Sequence, residues 1–290
     1  MDDSPVQKLR IWHGPESNQA CGPVDVSSAG LQAESFANRL YRQEALAHAK
    51  RSRRPSLSVE PFSLEWFLRI EHDRHVRHGP WLPKLLEFSK HAGDTLLAMG
   101  EGLGTDWLQF ARHGAQVIVA SSSAEQLAIV RRHFDLRGMR ARFVHTSAKA
   151  LPLESGSIDV VCMTGWTGDD RDPSQATSEI HRVLKAGGKV ICVVPARFDV
   201  SYWDAACFPW KSWGRKPNNP RDLSFSGRDL RRLFHRFAAH RIRKRHLKRV
   251  DVPHLWRWMP IGVLERLMGR TLILKAFKPV SASLSARAAA

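Results

Sequence analysis

Three closely spaced glycines, Gly100, Gly102 and Gly104, follow the short apolar run Thr95–Met99. Glycine has no Cβ, so a turn built from glycines lets a ligand approach the backbone closely. The apolar run has the length of a buried strand, and Thr105–His113 has the pattern of a helix. A strand, a glycine turn and a helix in this order predict a ligand site at the carboxyl edge of a parallel sheet, where the free N–H groups of the helix N-terminus face the ligand.

The glycine spacing separates two classes of ligand. The pattern is Gly-x-Gly-x-Gly, and Thr105 occupies the position of the last glycine in the dinucleotide fingerprint. This difference favours S-adenosylmethionine over a nicotinamide cofactor. Taken alone, the turn is equally compatible with a tight strand–helix connection that binds nothing, so the function depends on the segments downstream.

Strand-length apolar runs alternate with amphipathic segments along the chain. The predicted strands after Thr95–Met99 are Val117–Ala120, Arg142–His145, Ile158–Met163, Val190–Val194, Arg241–Lys248 and Thr271–Phe277. The predicted helices are Ser63–Arg77, Trp81–Phe88, Thr105–His113, Ser123–Phe134 and Ser226–Phe237, together with a helix opened by Asp172-Pro173 and closed by Gly187-Gly188. Ser123 and Gln126 are predicted to form a capping box at the start of their helix. This alternation predicts an α/β fold with a doubly wound parallel sheet.

The positive charge of the chain is concentrated in its last third. Residues 201–290 contain 20 Lys and Arg against 5 Asp and Glu, which accounts for +15 of the net charge of +17. Such a region suggests an anionic partner, which is nucleic acid, a membrane surface or a phosphorylated substrate, and the first two would bind through residues 227–270. A basic face that is merely solvated explains the same composition equally well.

Cysteine usage and hydropathy bear on the compartment. The four cysteines, Cys21, Cys162, Cys192 and Cys207, are scattered without metal-ligand spacing, which fits a reducing compartment. The N-terminus lacks the layout of a signal peptide, and no apolar run approaches the roughly 20 residues that span a bilayer. We therefore expect a cytoplasmic protein without a transmembrane segment, and we predict no metal site.

Three stretches, at residues 100–106, 151–159 and 179–188, have the order and spacing of a known family. Together they resemble the class I S-adenosylmethionine-dependent methyltransferases, and within these the bacterial methyltransferase-domain group. The resemblance covers about residues 61–279 and implies a Rossmann-like, three-layer α/β/α fold. It further implies a seven-stranded sheet whose last strand runs antiparallel, with S-adenosylmethionine as the cofactor.

The resemblance divides the chain into three parts. Residues 1–60 are predicted to be a disordered or helical N-terminal extension, residues 61–279 the methyltransferase-like domain, and residues 280–290 a flexible tail. Within the domain, residues 196–225 and 251–269 interrupt the alternation of strands and helices and are predicted to be insertions.

The family pattern also assigns candidate site residues. The predicted cofactor-binding residues are Gly100, Glu101, Gly102, Gly104, Thr105, Asp106, Ser121, Ser122, Ser147, Ala148, Thr164 and Gly165. The candidate substrate residues are Trp166, Asp169, Trp203 and Trp210, although a core or satellite-core role suits the three tryptophans equally well. No catalytic residue is predicted, because methyl transfer from a sulfonium depends chiefly on alignment of the nucleophile.

The chain departs from the family pattern at three acidic positions. Ala98, Ser121 and Ser147 stand where the family usually has carboxylates. A carboxylate accepts both ribose hydroxyls, and such charge-assisted hydrogen bonds are roughly twice as strong as neutral ones. The remaining nearby acids are either cofactor ligands or solvated surface groups, namely Glu101, Asp106, Asp169 and Asp170.

Three functions follow from these observations. The first is a methyltransferase acting on a small-molecule, lipid or glycan acceptor. The second is a catalytically degenerate, methyltransferase-like scaffold, and the third is a nucleic-acid-binding or RNA-modifying protein that uses the basic C-terminal third. Many methyltransferases that act on amino groups of DNA or on protein carry Asn-Pro-Pro-Tyr after the fourth strand. This chain has Thr164-Gly165-Trp166-Thr167 there, which argues against methylation of adenine or of a glutamine amide.

Overall fold

A computed structural model describes residues 59–166, 173–207 and 224–280. Several sequence-based expectations lie outside these residues. They are the N-terminal extension up to residue 58, the tail after residue 280, and the candidate site residues Asp169, Asp170 and Trp210.

Seven strands form one sheet in the order β3-β2-β1-β4-β5-β7-β6. The strands are β1 (Thr95–Gly100), β2 (Gln116–Ser121), β3 (Arg142–His145), β4 (Ile158–Thr164), β5 (Leu184–Pro195), β6 (Ala238–Arg245) and β7 (Thr271–Phe277). Strand β7 pairs antiparallel with both β5 and β6, whereas the first five strands pair in parallel. The prediction of a seven-stranded sheet whose last strand is antiparallel is confirmed.

Helices cover both faces of the sheet. In the described ranges they are α1 (Leu64–His72, continued by a π-helical turn at Asp73–His78), α2 (Leu82–Leu86), α3 (Thr105–Arg112), α4 (Ala124–Leu136), α5 (Pro173–Val183), α6 (Val200–Cys207), α7 (Gly227–Leu233) and α8 (Ile261–Met268). Short 3₁₀ turns occur at Phe88–His91, Arg249–Asp251 and His254–Trp256. None of these helices is long and apolar enough to cross a bilayer.

Two buried clusters show why the sheet takes this form. Strands β1, β4 and β5 are apolar on both faces, as a sheet covered by helices requires. One face packs against α3 and α4 through Trp107, Phe110 and Phe134. The other packs against α5 and α7 through Ile180 and Phe234. The three-layer arrangement follows from these two cores.

The Gly187-Gly188 pair was predicted to close helix α5, and this prediction is wrong. Helix α5 ends at Val183, and both glycines lie inside β5. Gly187 has φ of +78°, and a Cβ on Gly188 would lie 2.9 Å from the Asp159 carbonyl oxygen. Backbone hydrogen bonds from and to Lys278 hold the pair, so the glycines form an irregularity in the strand and do not cap the helix.

Three other boundaries differ from expectation. The segment predicted to be irregular after β5 contains helix α6, which Asp199 starts by accepting hydrogen bonds from the backbone N–H groups of Ser201 and Tyr202. Helix α7 is shorter than predicted, ending at Leu233. Strand β6 lies three residues earlier than predicted, because its pairing with β7 begins at Ala238.

Candidate functional site

The glycine turn lies at the carboxyl edge of the sheet, directly against the end of β4. Gly100 has φ of +102°, and a Cβ there would lie 2.3 Å from the Thr164 carbonyl oxygen. At Gly104, with φ of +75°, a Cβ would lie 2.7 Å from Cγ1 of Val130. A Cβ on Gly102 would meet only the Thr164 hydroxyl, at 3.4 Å. The outer glycines are therefore required by packing, while Gly102 leaves open space over bare backbone.

Gln126 of α4 is hydrogen-bonded to this turn through its side chain. Its buried side-chain amide donates hydrogen bonds of 2.9 Å to the carbonyl oxygens of both Gly100 and Gly102. Its Oε1 accepts a 2.6 Å hydrogen bond from the hydroxyl of Ser121 at the end of β2. Ser121 Oγ also accepts from the backbone N–H of Ser123. One buried side chain thus ties the ends of β1 and β2 to the start of α4.

This network corrects the sequence expectation for Gln126. The hydroxyl of Ser123 accepts from the Gln126 backbone N–H at 3.1 Å, as a capping residue does. The Gln126 side chain does not return to the Ser123 N–H, which is bonded to Ser121 instead. The pattern indicated the helix start correctly but missed the role of Gln126 in shaping the turn.

His133 supports the same turn at the next residue. Its Nδ1 lies 2.9 Å from the carbonyl oxygen of Leu103. Burial lowers the pKa of His133 to about 4, so the ring is neutral at pH 7 and Nδ1 carries the hydrogen that it donates. The ring stacks on Phe67 of α1, with centroids 4.1 Å apart and planes at 5°. Sequence reasoning missed this residue because nothing in its spacing marks it.

Asp106, a predicted cofactor ligand or solvated acid, is instead buried in an ion pair. Arg74 donates to both of its carboxylate oxygens, and His75 Nε2 lies 2.8 Å from Oδ1. Burial alone would raise the pKa of Asp106, but Arg74 and His75 hold it well below its usual range. Both oxygens are engaged by the turn after α1, so we assign Asp106 a structural role.

A second polar contact fixes α1 against the two helices beside the glycine turn. Glu71 accepts hydrogen bonds from Gln109 Nε2 at 2.6 Å and from Arg137 at 2.5 Å, and Arg112 lies 3.4 Å away. Gln109 and Arg112 belong to α3, and Arg137 follows α4. Helix α1 is therefore attached to both helices whose N-termini flank the glycine turn.

The structure brings part of the predicted cofactor set together at the ends of β2, β1 and β4. Gly100 is in register with Thr164, and a Cβ on Gly165 would lie 3.1 Å from Glu101 Cβ. Thr105 starts α3 and is buried, and Ser122 is exposed immediately after β2. These residues lie at the same edge of the sheet as Gly102, and of their side chains that of Thr164 comes nearest to it.

The remaining candidates take different positions. Ser147 and Ala148 follow β3, the outer strand of this end of the sheet, and Ser147 Oγ accepts from the Lys149 N–H at 3.3 Å. Trp166 is buried beside Phe225, with ring centroids 5.7 Å apart. Trp203 packs on Trp256 in a separate apolar cluster. Trp203 is therefore not brought to the glycine turn.

Two described cavities are lined by residues away from the glycine turn. One, of about 510 Å³, lies between α1 and α3 and is lined by residues including His75 and Gln109. The other, of about 470 Å³, lies between α5 and α7 and includes Thr177 and Arg236. In the described ranges, no cluster of His, Cys, Asp and Glu side chains has the arrangement of a metal site.

The segment that contains the glycine turn is similar in sequence to known methyltransferases. Residues 97–192 match the family model of a methyltransferase domain. A demethylmenaquinone methyltransferase of Thermus thermophilus is 35% identical over 95 residues, which cover 33% of this chain and 43% of the relative. A ubiquinone biosynthesis O-methyltransferase of Ruegeria pomeroyi is 33% identical over 111 residues, covering 38% of this chain and 45% of the relative. The matches thus span less than half the length of these curated relatives.

The fold comparison extends over more of the chain. The crystal structure of an S-adenosylmethionine-dependent methyltransferase from Aquifex aeolicus covers 74% of this chain and 98% of its own, with a TM-score of 0.50 and 14% identity. At that identity the likeness shows the fold alone. The segment that matches the methyltransferase-domain model contains the glycine turn, and the seven-stranded sheet around it has the fold of S-adenosylmethionine-dependent methyltransferases.

Proposed function

We propose that this protein transfers a methyl group from S-adenosylmethionine to a small-molecule acceptor. The observation that carries the proposal is the open backbone at Gly102, with Gly100 packed directly on β4 and the N-terminus of α3 beside it. Two relatives are named for demethylmenaquinone methylation and ubiquinone biosynthesis, so a quinone-type ring is the first acceptor class to test.

The residues present fit an adenosyl group in shape, but their polar contacts are weaker than usual. A side chain at position 102 would fill the space over the turn, and glycine leaves it free. Ser121 has already donated its hydrogen to Gln126 and accepted one from Ser123. One lone pair of its hydroxyl remains to accept from a ribose hydroxyl, without the charge that a carboxylate provides.

The work of the protein in this reaction is positioning. When bound, S-adenosylmethionine supplies an electrophilic methyl group on a sulfonium. Gln126 and His133 bind the carbonyl oxygens of Gly100, Gly102 and Leu103 and so fix the backbone of the turn on which the ligand would lie. Trp166, directly after β4, is buried beside Phe225 and packs the sheet next to this edge. Holding the reactants aligned provides much of the rate enhancement in a displacement of this kind.

Isothermal titration with S-adenosylmethionine tests the proposal directly. We expect saturable binding to the wild type, and binding at least tenfold weaker for Gly102→Ala, whose added methyl group occupies the open space. Gly138→Ala is the control for an added methyl group at a glycine with positive φ, because a Cβ placed there would have nothing within 4 Å. It should leave ligand binding unchanged. Its φ of +63° strains alanine less than the +156° of Gly102, so thermal unfolding of Gly102→Ala is measured alongside to separate loss of binding from loss of stability.

The outcomes separate an enzyme from a scaffold. Transfer of a labelled methyl group to a demethylated quinol by the wild type would support both the reaction and the acceptor class. Transfer to another small molecule only would keep the reaction and exclude the quinone-type acceptor. No heat and no thermal shift at millimolar ligand would rule out catalysis.

A further inference from the structure

The connection between β6 and β7, residues 246–270, leaves several large apolar side chains exposed to solvent. Its inner side is a small core in which Leu264 and Met268 of α8 are fully buried. Five large apolar residues of the connection are exposed, on more than one side of it, namely Val250, Trp258, Ile261, Val263 and Leu267. We call these five residues the apolar patch. Trp258 is 81% exposed, an unusual position for a large indole in a soluble protein.

The cations around the apolar patch are left without acidic partners. Residues 238–280 contain only two acids, and both are used internally: Glu265 by Arg245 at 2.5 Å and Asp251 by Arg270 at 3.6 Å. The exposed cations nearby are Arg241, Arg243, Lys248, Arg249 and Arg266. Within the part of the chain that the structure describes, none of these five makes an ion pair.

A row of arginines leads along the edge of the sheet to the patch. Strand β6 is the outermost strand, and Arg241, Arg243 and Arg245 alternate onto one of its faces. Arg245 on that face reaches Glu265 of α8, so the basic row ends against this helix. The same end of the sheet therefore carries both exposed apolar side chains and unpaired cations.

The patch is also at the edge of the sheet where the candidate site lies. Strand β6 ends at Arg245 and β7 starts at Thr271, opposite Pro195 at the end of β5. Strand β5 pairs in parallel with β4, whose last residue, Thr164, is in register with Gly100. The connection between β6 and β7 and the glycine turn thus share the carboxyl edge, four strand spacings or roughly 20 Å apart.

We propose that residues 246–270 dock the protein on an anionic lipid bilayer, with the apolar patch in the headgroup region and the cations on acidic headgroups. Tryptophan and aliphatic side chains flanked by arginine match the composition of an interfacial element. Nucleic acid fits less well, because it rewards stacking on aromatic rings and offers little for exposed Ile261, Val263 and Leu267. Docking would hold the carboxyl edge near an acceptor dissolved in the membrane.

Vesicle binding tests this proposal on the full-length protein without S-adenosylmethionine, so its failure is distinct from failure of the methyl-transfer proposal. We expect the protein to sediment with vesicles of phosphatidylcholine and phosphatidylglycerol, and less with phosphatidylcholine alone. The triple variant Trp258→Ser, Val263→Ser, Leu267→Ser should bind at least tenfold more weakly. The double variant Arg241→Gln, Arg243→Gln should lose roughly tenfold or more, and added salt should weaken wild-type binding.

Two control variants on α1 separate docking from general effects of polarity and charge. Leu68 is 44% exposed, close to the 43% of Leu267, and Arg69 is exposed on the same helix. Leu68→Ser and Arg69→Gln should bind vesicles as the wild type does, and all variants should keep the wild-type circular dichroism spectrum.

Three results would overturn the proposal. The first is that the two test variants bind vesicles as tightly as the wild type does. The second is that the wild type binds neutral and anionic vesicles equally well. The third is that it binds a single-stranded RNA oligonucleotide but not vesicles.

Discussion

The buried Gln126 side chain accepts a 2.6 Å hydrogen bond from the hydroxyl of Ser121. This contact places the residue at the end of β2 in the framework of the site, because Gln126 in turn holds two carbonyls of the glycine turn. Ser121, which we predicted to replace a ribose-binding acid, is therefore part of a neutral network that shapes the backbone.

Replacing Gln126 by alanine should disturb both the fold and the site. Gln126→Ala leaves two turn carbonyls and the Ser121 hydroxyl without their buried partner, and we expect a loss of about 3 kcal/mol in the free energy of unfolding. Binding of S-adenosylmethionine should weaken by at least tenfold. Gln116→Ala, at the exposed first residue of β2, is the matched control and should change neither quantity. Denaturant unfolding and titration calorimetry measure the two effects.

Placing an acid at position 121 should fail to improve binding of S-adenosylmethionine. In Ser121→Asp the carboxylate has no hydrogen to donate, so two acceptors would face each other where Gln126 Oε1 now accepts. Reversing the amide would only turn its oxygen toward Gly100 and Gly102. We expect a destabilisation of about 2 kcal/mol and no tighter binding of S-adenosylmethionine.

An added charge at the neighbouring residue provides the control. Ser122→Asp places a carboxylate at an exposed position beside the same edge, and it should leave stability nearly unchanged. Binding that tightens tenfold in Ser121→Asp would contradict the role assigned to the Ser121–Gln126 contact.

The sheet was largely predictable because its signals are local. The runs Ile158–Met163 and Val190–Val194 are uninterrupted by polar residues after Asp159. Their short length and valine content indicate strands covered on both faces. Gly187-Gly188 was misassigned because a glycine pair after a helix has the same local pattern as a helix cap. Its actual partner is Lys278, some 90 residues away in sequence, and local patterns carry no information on that pairing.

The framework of the site was less predictable than its position. The glycine turn is marked by composition, but the contacts that hold it come from distant residues. Leu103 is bonded by His133, 30 residues later, and Asp106 by Arg74, 32 residues earlier. Nothing in the spacing of His133 or Arg74 distinguishes them from the other histidines and arginines of this basic chain. Their roles follow only from the packing of α1 and α4.

Stability should fall as the pH is lowered from about 6.5 to about 4 because of His133. Its pKa is about 4 in the folded protein, lowered by burial from a usual value of 6.5. Between these values the unfolded chain binds more protons, so protonation favours unfolding, by up to about 3 kcal/mol at the acid end. Above pH 6.5 this contribution is constant.

A variant isolates the contribution of His133 from those of other titrating groups. His133→Phe keeps a ring against Phe67 and removes the titration, at the cost of the donor to Leu103. The difference in unfolding free energy between wild type and variant, measured by denaturant titration at a series of pH values, should shrink as the pH falls through this window. A difference that stays constant would show that His133 does not titrate there.

The ion pair of Asp106 should be the strongest single attachment of the α1 segment. Asp106→Asn leaves Arg74 and His75 facing a neutral amide inside the protein, and removing one partner of a buried pair costs about 3–5 kcal/mol. Asp73→Asn is the control in the same segment, because Asp73 pairs with Arg77 at 3.6 Å where the Arg77 side chain is largely exposed and that of Asp73 partly so. That change should cost less than about 1 kcal/mol.

Limited proteolysis distinguishes loss of the α1 attachment from a general loss of stability. If the pair fastens α1, Asp106→Asn should become susceptible to cleavage within residues 59–78 under conditions where the sheet remains protected. The attachment matters for the site because Phe67 of α1 stacks on His133, which holds Leu103 in the glycine turn. Binding of S-adenosylmethionine should therefore weaken along with the loss of α1, even though Asp106 itself faces away toward Arg74. Cleavage spread evenly over the chain would instead assign the ion pair to global stability.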